Sequence, residues 1–244
     1  MPRFFVRREQ IEKDKIRITG EDAHHISRSL RMAVGERIEV CDMQKKVYIC
    51  TLEEFLPKEV IAEIEEETQI DTEPTHFIKL YQALPKSDKM ETIIQKSVEC
   101  GVSEIIPFSS ERCIVKIDKR DEEKKLDRWQ KISESASKQS GRGIIPKVCG
   151  VLTLDKMIEE SKNSSVVLFC YEGEDALTIR QALQKEKITG DVSIIIGSEG
   201  GFSQKEAEKI RNSGALTVTL GKRILRCETA APFALTCIAY ETEL

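Results

Sequence analysis

The stretch DVSIIIGSEGGFSQKE, residues 191–206, decides how this chain folds. Val192 to Ile196 form a short, continuous apolar run rich in β-branched residues, the signature of a strand buried on both faces. Gly197, Gly200 and Gly201 then break the run. Ser203 stands three residues before Glu206, the spacing of a capping box that opens a helix. Strand, glycine-bearing turn and capped helix make one unit of a parallel α/β sheet.

Working outward, the unit recurs. SSVVLFCYE (164–172) precedes it and ALTVTLG (215–221) follows it, each an apolar strand leading into a helix-like or glycine-bearing segment. HFIKLYQAL (76–84) is a further strand. Ser87 is placed to N-cap the next helix, on which Met90, Ile93, Ile94, Ser97 and Val98 share one face and Gly101 supplies the stop. SEIIPF (103–108) is a short buried strand. A long helix is expected from Asp121 to about Ser140, with Leu126, Trp129, Ile132 and Ala136 at helical spacing.

Before Pro74 the texture differs. RIEVCDMQKKVYICTLEEF (37–55) alternates about Asp42-Met43-Gln44, the pattern of a β-hairpin, and Gly20 and Gly35 mark turns. EIEEETQIDTEP (63–74) reads as a last strand and a linker. The expected organisation is a small β-barrel over residues 1–72 and an α/β domain over residues 73–244.

The chain has 244 residues, 40% hydrophobic and 33% charged, which suits a globular protein rather than a disordered one. No apolar run reaches the roughly 18 residues of a membrane span, and MPRFFVRREQ at the start turns charged too early for a signal peptide. A cytoplasmic protein is expected. Eight cysteines form no CxxC pair, and His24, His25 and His76 complete no zinc spacing, so reduced thiols and no metal are expected. The net charge of −4 is uneven: residues 1–52 carry +3, residues 53–73 carry −8 and the rest +1. The acidic connector sets the total, which therefore does not exclude a nucleic-acid partner.

Two loops carry candidate chemistry: IGSEGGFSQKE (196–206) and LGKRILRCETA (220–230). Neither is a GxGxxG fingerprint nor a P-loop, which argues against nicotinamide enzymes and ordinary NTPases. A plain structural turn and a small-molecule pocket are both open on these residues alone.

These two loops resemble the cofactor motifs of the RsmE family, the 16S ribosomal RNA uridine-N3 methyltransferases of the SPOUT superfamily. ALPKSDKMETIIQKSVECGVSEIIPFSSER (83–112), RWQKISESASKQSGRGIIP (128–146), RFFV (3–6) and HHISRSLRMAVGE (24–36) are similar to the same family. Two positions depart from its pattern: Ser198 stands where the family usually has proline, and Cys227 where it usually has threonine.

The resemblance implies a PUA-like N-terminal barrel, a SPOUT-type parallel α/β domain with a deep trefoil knot, and a homodimer using the apolar face of the last helix. It implies S-adenosyl-L-methionine as cofactor, held by Gly197, Glu199, Gly200, Gly201, Leu220, Gly221, Ile224, Leu225, Arg226, Thr229 and Ala230. The substrate implied is 16S rRNA or the small ribosomal subunit. Uridine N3 must lose a proton before attack, and charge then spreads onto O2 and O4. Arg226 is the candidate cation for that charge. Glu199 and Glu228 are candidates either as hydrogen-bond acceptors or as the base. For RNA contact the candidates are Arg7, Arg8, Arg28 and Arg31 in the barrel, and Lys138, Gln139 and Arg142 at and just after the end of the long helix; solvated surface charge is the plain alternative for each. The rival functions are a SPOUT enzyme acting on another RNA site and a non-catalytic RNA-binding assembly factor.

Overall fold

The computed structural model describes all residues except 45, 173–175 and 187. The chain divides into two compact units: Met1–Glu73 with Ser137–Ile145, and Pro74–Ala136 with Pro146–Leu244.

The first unit holds strands β1 (Arg3–Phe5), β2 (Lys15–Thr19), β3 (Arg37–Cys41), β4 (Lys46–Phe55) and β5 (Glu59–Gln69), with helix α1 (Gly20–His24) between β2 and β3. They form one sheet in the order β1-β3-β4-β5-β2. The expected hairpin is β3 with β4, antiparallel from Arg37 opposite Thr51 to Cys41 opposite Val47, and Lys45 in its turn lies outside the described residues. The sheet is mixed, since β1 joins β3 in parallel while the other ladders are antiparallel, and it forms a half-barrel in keeping with the small β-barrel expected for this part of the chain. Phe4, Ile16, Ile18, Ile38, Leu52 and Val60 fill its core.

Arg142 corrects an expectation. Its side chain is only 4% exposed, and its guanidinium pairs with Glu73 at 2.5 Å. The same carboxylate accepts the Gly143 and Ile144 backbone N–H groups at 2.9 and 3.2 Å. Arg142 is thus a buried structural cation, not a group facing RNA. Lys138 is partly withdrawn as well, 2.8 Å from Asp22 and 5.6 Å from the centre of the Phe4 ring. Arg7, Arg8, Arg28, Arg31 and Gln139 are exposed, and His25 packs edge-on against Phe4.

The second unit contains β6 (Ile78–Ala83), α2 (Lys89–Glu99), β7 (Glu104–Ser109), the first part of α3 (Lys119–Ser140), β8 (Lys147–Val148), β9 (Leu152–Thr153), α4 (Leu154–Ser161), β10 (Val166–Cys170), β11 (Leu177–Thr178), α5 (Ile179–Lys185), β12 (Val192–Ile196), α6 (Gln204–Asn212), β13 (Leu216–Thr219) and α7 (Cys227–Thr242). The sheet order is β11-β13-β10-β12-β6-β7-β8, and every ladder is parallel. β12 is buried at all five positions because β10 and β6 flank it and helices cover its faces. The Ser203–Glu206 capping box is present, with Ser203 Oγ accepting from Glu206 N and Glu206 accepting from Ser203 N. Ser87 does not cap α2. It adopts the left-handed φ 53 one residue ahead of the helix boundary, and Asp88 takes the cap position. No helix among the described residues is long and apolar enough to cross a membrane.

Removing one partner of a buried ion pair strands the other charge, at a cost of about 3 kcal/mol. Glu73→Ala should therefore destabilise the chain by about that amount in denaturant melts, and Arg142→Met, which leaves the less buried carboxylate behind, by less. Equal small effects would show that the pair is not a structural anchor.

Candidate active site

In a parallel sheet all strands end at the same edge, where ligands meet the backbone of the following loops. Here the carboxyl ends of β10, β12 and β13 surround a cavity of about 730 Å³, within the range of small-molecule sites. Its wall is built from residues 170–172, 196–202, 218–221 and 223–227, joined by Lys89, Arg112 and Ala230.

Glycine is required where the loops close. A Cβ on Gly197 would lie 2.9 Å from Phe202 Cε2, and Phe202 is locked between Phe108 and Phe169. A Cβ on Gly200 would meet Arg112 at 3.0 Å, where Arg112 donates to the Gly200 carbonyl at 3.0 Å. Beneath the loop, fully buried Gln82 at the end of β6 donates to the carbonyl of Gly197 at 3.2 Å.

Glu199 accepts from Lys86 N at 3.2 Å and from Lys89 Nζ at 2.8 Å. Lys89 Nζ also lies 3.4 Å from Glu228. Burial works to raise both carboxyl groups, but it is outweighed: by Lys89 and backbone N–H groups at Glu199, and by backbone, Cys227 and Lys89 at Glu228. Both are held below the ordinary carboxylate range. Burial and the hydrogen bond to Glu228 push the Cys227 thiol up to about 12, so it stays a thiol at neutral pH. Arg226 is the N-cap of α7 through its backbone alone: its carbonyl accepts from Thr229 N and Ala230 N, both at 2.8 Å. Its exposed guanidinium borders the cavity and has no ion-pair partner among the described residues.

The RNA methyltransferase domain family matches residues 72–239, and the RNA methyltransferase PUA domain family matches residues 18–65. The chain is 34% identical to the ribosomal RNA small subunit methyltransferase E of Bacillus subtilis, with 100% of this chain and 98% of that protein covered. It is 36% identical to the enzyme of the same name from Mesomycoplasma hyopneumoniae, covering 98% and 99%. The chain belongs to the RsmE family. A crystal structure of the family member from Neisseria gonorrhoeae bound to S-adenosyl methionine superposes with a TM-score of 0.87 at 31% identity, covering 99% of this chain and 98% of that one.

Of the residues the RsmE motifs single out, Gly197, Glu199, Gly200, Gly201, Leu220, Gly221, Ile224, Leu225, Arg226 and Ala230 all border the cavity. Thr229 and Glu228 do not. Thr229 is exposed in the first turn of α7, and Glu228 reaches the site through Lys89 and Cys227. Lys89, Arg112, Tyr171, Glu172 and Arg223 were not anticipated. Lys89 and Arg112 do lie in the motif stretch 83–112, but nothing in their spacing shows that the fold turns them toward residues 199–200.

The lowered carboxyl groups carry a pH signature. A depressed folded-state value contributes stability that is present above the ordinary value of 4.5 and lost as pH falls through the folded value. The melting temperature of Glu199→Gln should thus sit below that of the parent at pH 7, and the gap should close below about pH 4. A gap independent of pH would show that the Glu199 charge is not what holds the loop.

Proposed function

We propose that this chain is an S-adenosylmethionine-dependent methyltransferase that methylates N3 of a uridine in 16S rRNA of the small ribosomal subunit. The observation that carries this reading is the cavity itself, closed by the two motif loops of a family matched over the full chain. The site suits that cofactor. It offers glycine backbone in reach, apolar wall from Ile196, Phe202 and Leu225, ionised Glu199, and the buried Ser198 hydroxyl, which has no hydrogen-bond partner among the described residues. When bound, the cofactor supplies an electrophilic methyl group on a sulfonium.

The chain's own residues account for the rest. Arg226 borders the cavity with a guanidinium that has no ion-pair partner among the described residues, suited to negative charge growing on the uracil oxygens. A general base works best with a value near the operating pH, and Glu199 and Glu228 are held lower. Their role in this reading is to accept hydrogen bonds and order the loops, not to take the N3 proton.

We assign residues 1–72 as the PUA-like RNA-binding domain and residues 73–244 as the methyltransferase domain. Arg7, Arg8, Arg28, Arg31, Lys138 and Gln139 supply the RNA-facing groups. β13 pairs with β10 rather than with β12, which precedes it in the chain. That displacement supports a knotted threading of the last segments. Phe233 and Tyr240 stay exposed on α7, whose other apolar residues are mostly spent on its own domain, and they support a homodimer.

Mass spectrometry of rRNA nucleosides from a deletion strain tests the reading: 3-methyluridine should vanish from 16S rRNA and return with the gene. Its persistence would refute the assignment. Arg226→Ala should lower the single-turnover rate by about 10²–10³ with cofactor affinity nearly unchanged. Arg226→Lys should recover only part, because an ammonium lacks the planar fork. Joint loss of affinity and melting temperature would instead make Arg226 a brace for the loop.

A further inference from the structure

The turn that enters α2 is built against local preference. Ser87 adopts φ 53, a left-handed conformation uncommon outside glycine, and Asp88 at the N-cap makes no side-chain capping bond. Lys89, the first helical residue, puts a cation at the positive end of the helix dipole, where an anion is favoured. Local departures of this kind mark positions chosen for something other than folding.

The contacts of the turn show what it gains. Lys86 N faces both oxygens of Glu199, at 3.2 and 3.3 Å. The Lys89 ammonium lies 2.8 Å from Glu199, in the loop after β12, and 3.4 Å from Glu228, in the first turn of α7. The three side chains are 28%, 24% and 20% exposed, so water competes only in part. An isolated exposed pair would contribute little, but one cation shared by two half-buried carboxylates is a network. Glu199 belongs to one of the two loops that form most of the cavity wall, and Glu228 to the helical turn directly after the other.

We propose that Lys89 is a positioning residue for the cofactor: from the start of α2 it fastens Glu199 and Glu228, and with them both cavity loops, into one binding-competent arrangement. This rests on the assignment of the cavity to S-adenosylmethionine. Lys89 acts through the two carboxylates and needs no contact of its own with the reacting atoms. Without it, two like charges would face each other across the loops.

The test is a double-mutant cycle read by calorimetry with S-adenosylmethionine on the full chain. Lys89→Met should weaken binding about tenfold, in the range of contacting charged pairs. Lys89→Arg should restore most of it, since a guanidinium also spans two carboxylates. In a Glu199→Gln background, Lys89→Met should change affinity by less than about threefold, because the group it acts through is gone. If Glu199→Gln leaves no measurable binding, Glu228→Gln provides the second background. If Lys89→Met does not fold, Lys89→Gln takes its place. Equal loss in both backgrounds would mean that Lys89 meets the ligand independently, and unchanged affinity would mean that it positions nothing; either overturns the inference. A parent chain that binds no S-adenosylmethionine would remove the cavity assignment and this inference together, whereas normal parental binding without coupling removes the inference alone.

Discussion

Parallel pairing is the constraint on which the rest of this domain depends. Because β10, β12 and β13 run in one direction, the loops leaving them must all emerge at one edge. Val192 to Ile196 are wholly buried, so the backbone cannot turn until the run ends, and it turns at Gly197. The loop then has to cross packed aromatic rings at close range, which is why residues without side chains stand there. The cavity is therefore a product of the sheet's direction and its fully apolar centre.

Electrostatics then fix what the edge can do. The wall mixes cations and carboxylates, and no pair of them is fully buried. Full burial would carry a desolvation cost that Coulomb attraction rarely recovers. Half-exposure lets Glu199 and Glu228 stay ionised beside one lysine, while the Arg226 guanidinium has no ion-pair partner among the described residues. A charge already satisfied within the loop would have little left for a developing anion on a substrate.

Much of this was legible in the sequence, for physical reasons particular to each segment. The strand 192–196 and the Ser203–Glu206 capping box depend on neighbours within a few residues, and local spacing exposes them. So does the hairpin of β3 and β4. Lys89, Arg112 and Arg142 were misread or missed because their partners lie 110, 88 and 69 positions away, at Glu199, Gly200 and Glu73. One-dimensional spacing holds no record of such pairings. Ser87 failed as a cap for a subtler reason: the residue type fits, but the turn that brings Lys86 and Lys89 to Glu199 needs a left-handed residue there. The motif resemblance pointed to residues of both cavity loops but could not separate Glu228 and Thr229, which stand outside the wall, from neighbours that form it.

The two departures from the family pattern have a physical reading. The turn at 198–201 is set by the Ser198 carbonyl, which accepts Gly201 N at 2.9 Å, and by the positive φ of Gly201. Neither uses the side chain at 198, so serine can replace proline without undoing the turn. What changes is the unfolded chain, which gains freedom that proline would have denied it. At 227 the thiol sits 3.3 Å from Glu228 Oε2, in the position of a weak donor, and burial keeps it protonated. A threonine hydroxyl would make a similar bond with more strength. Both substitutions thus alter the loops' energetics while leaving intact the backbone carbonyls, the glycine conformations and the Arg226 guanidinium on which the proposed chemistry relies.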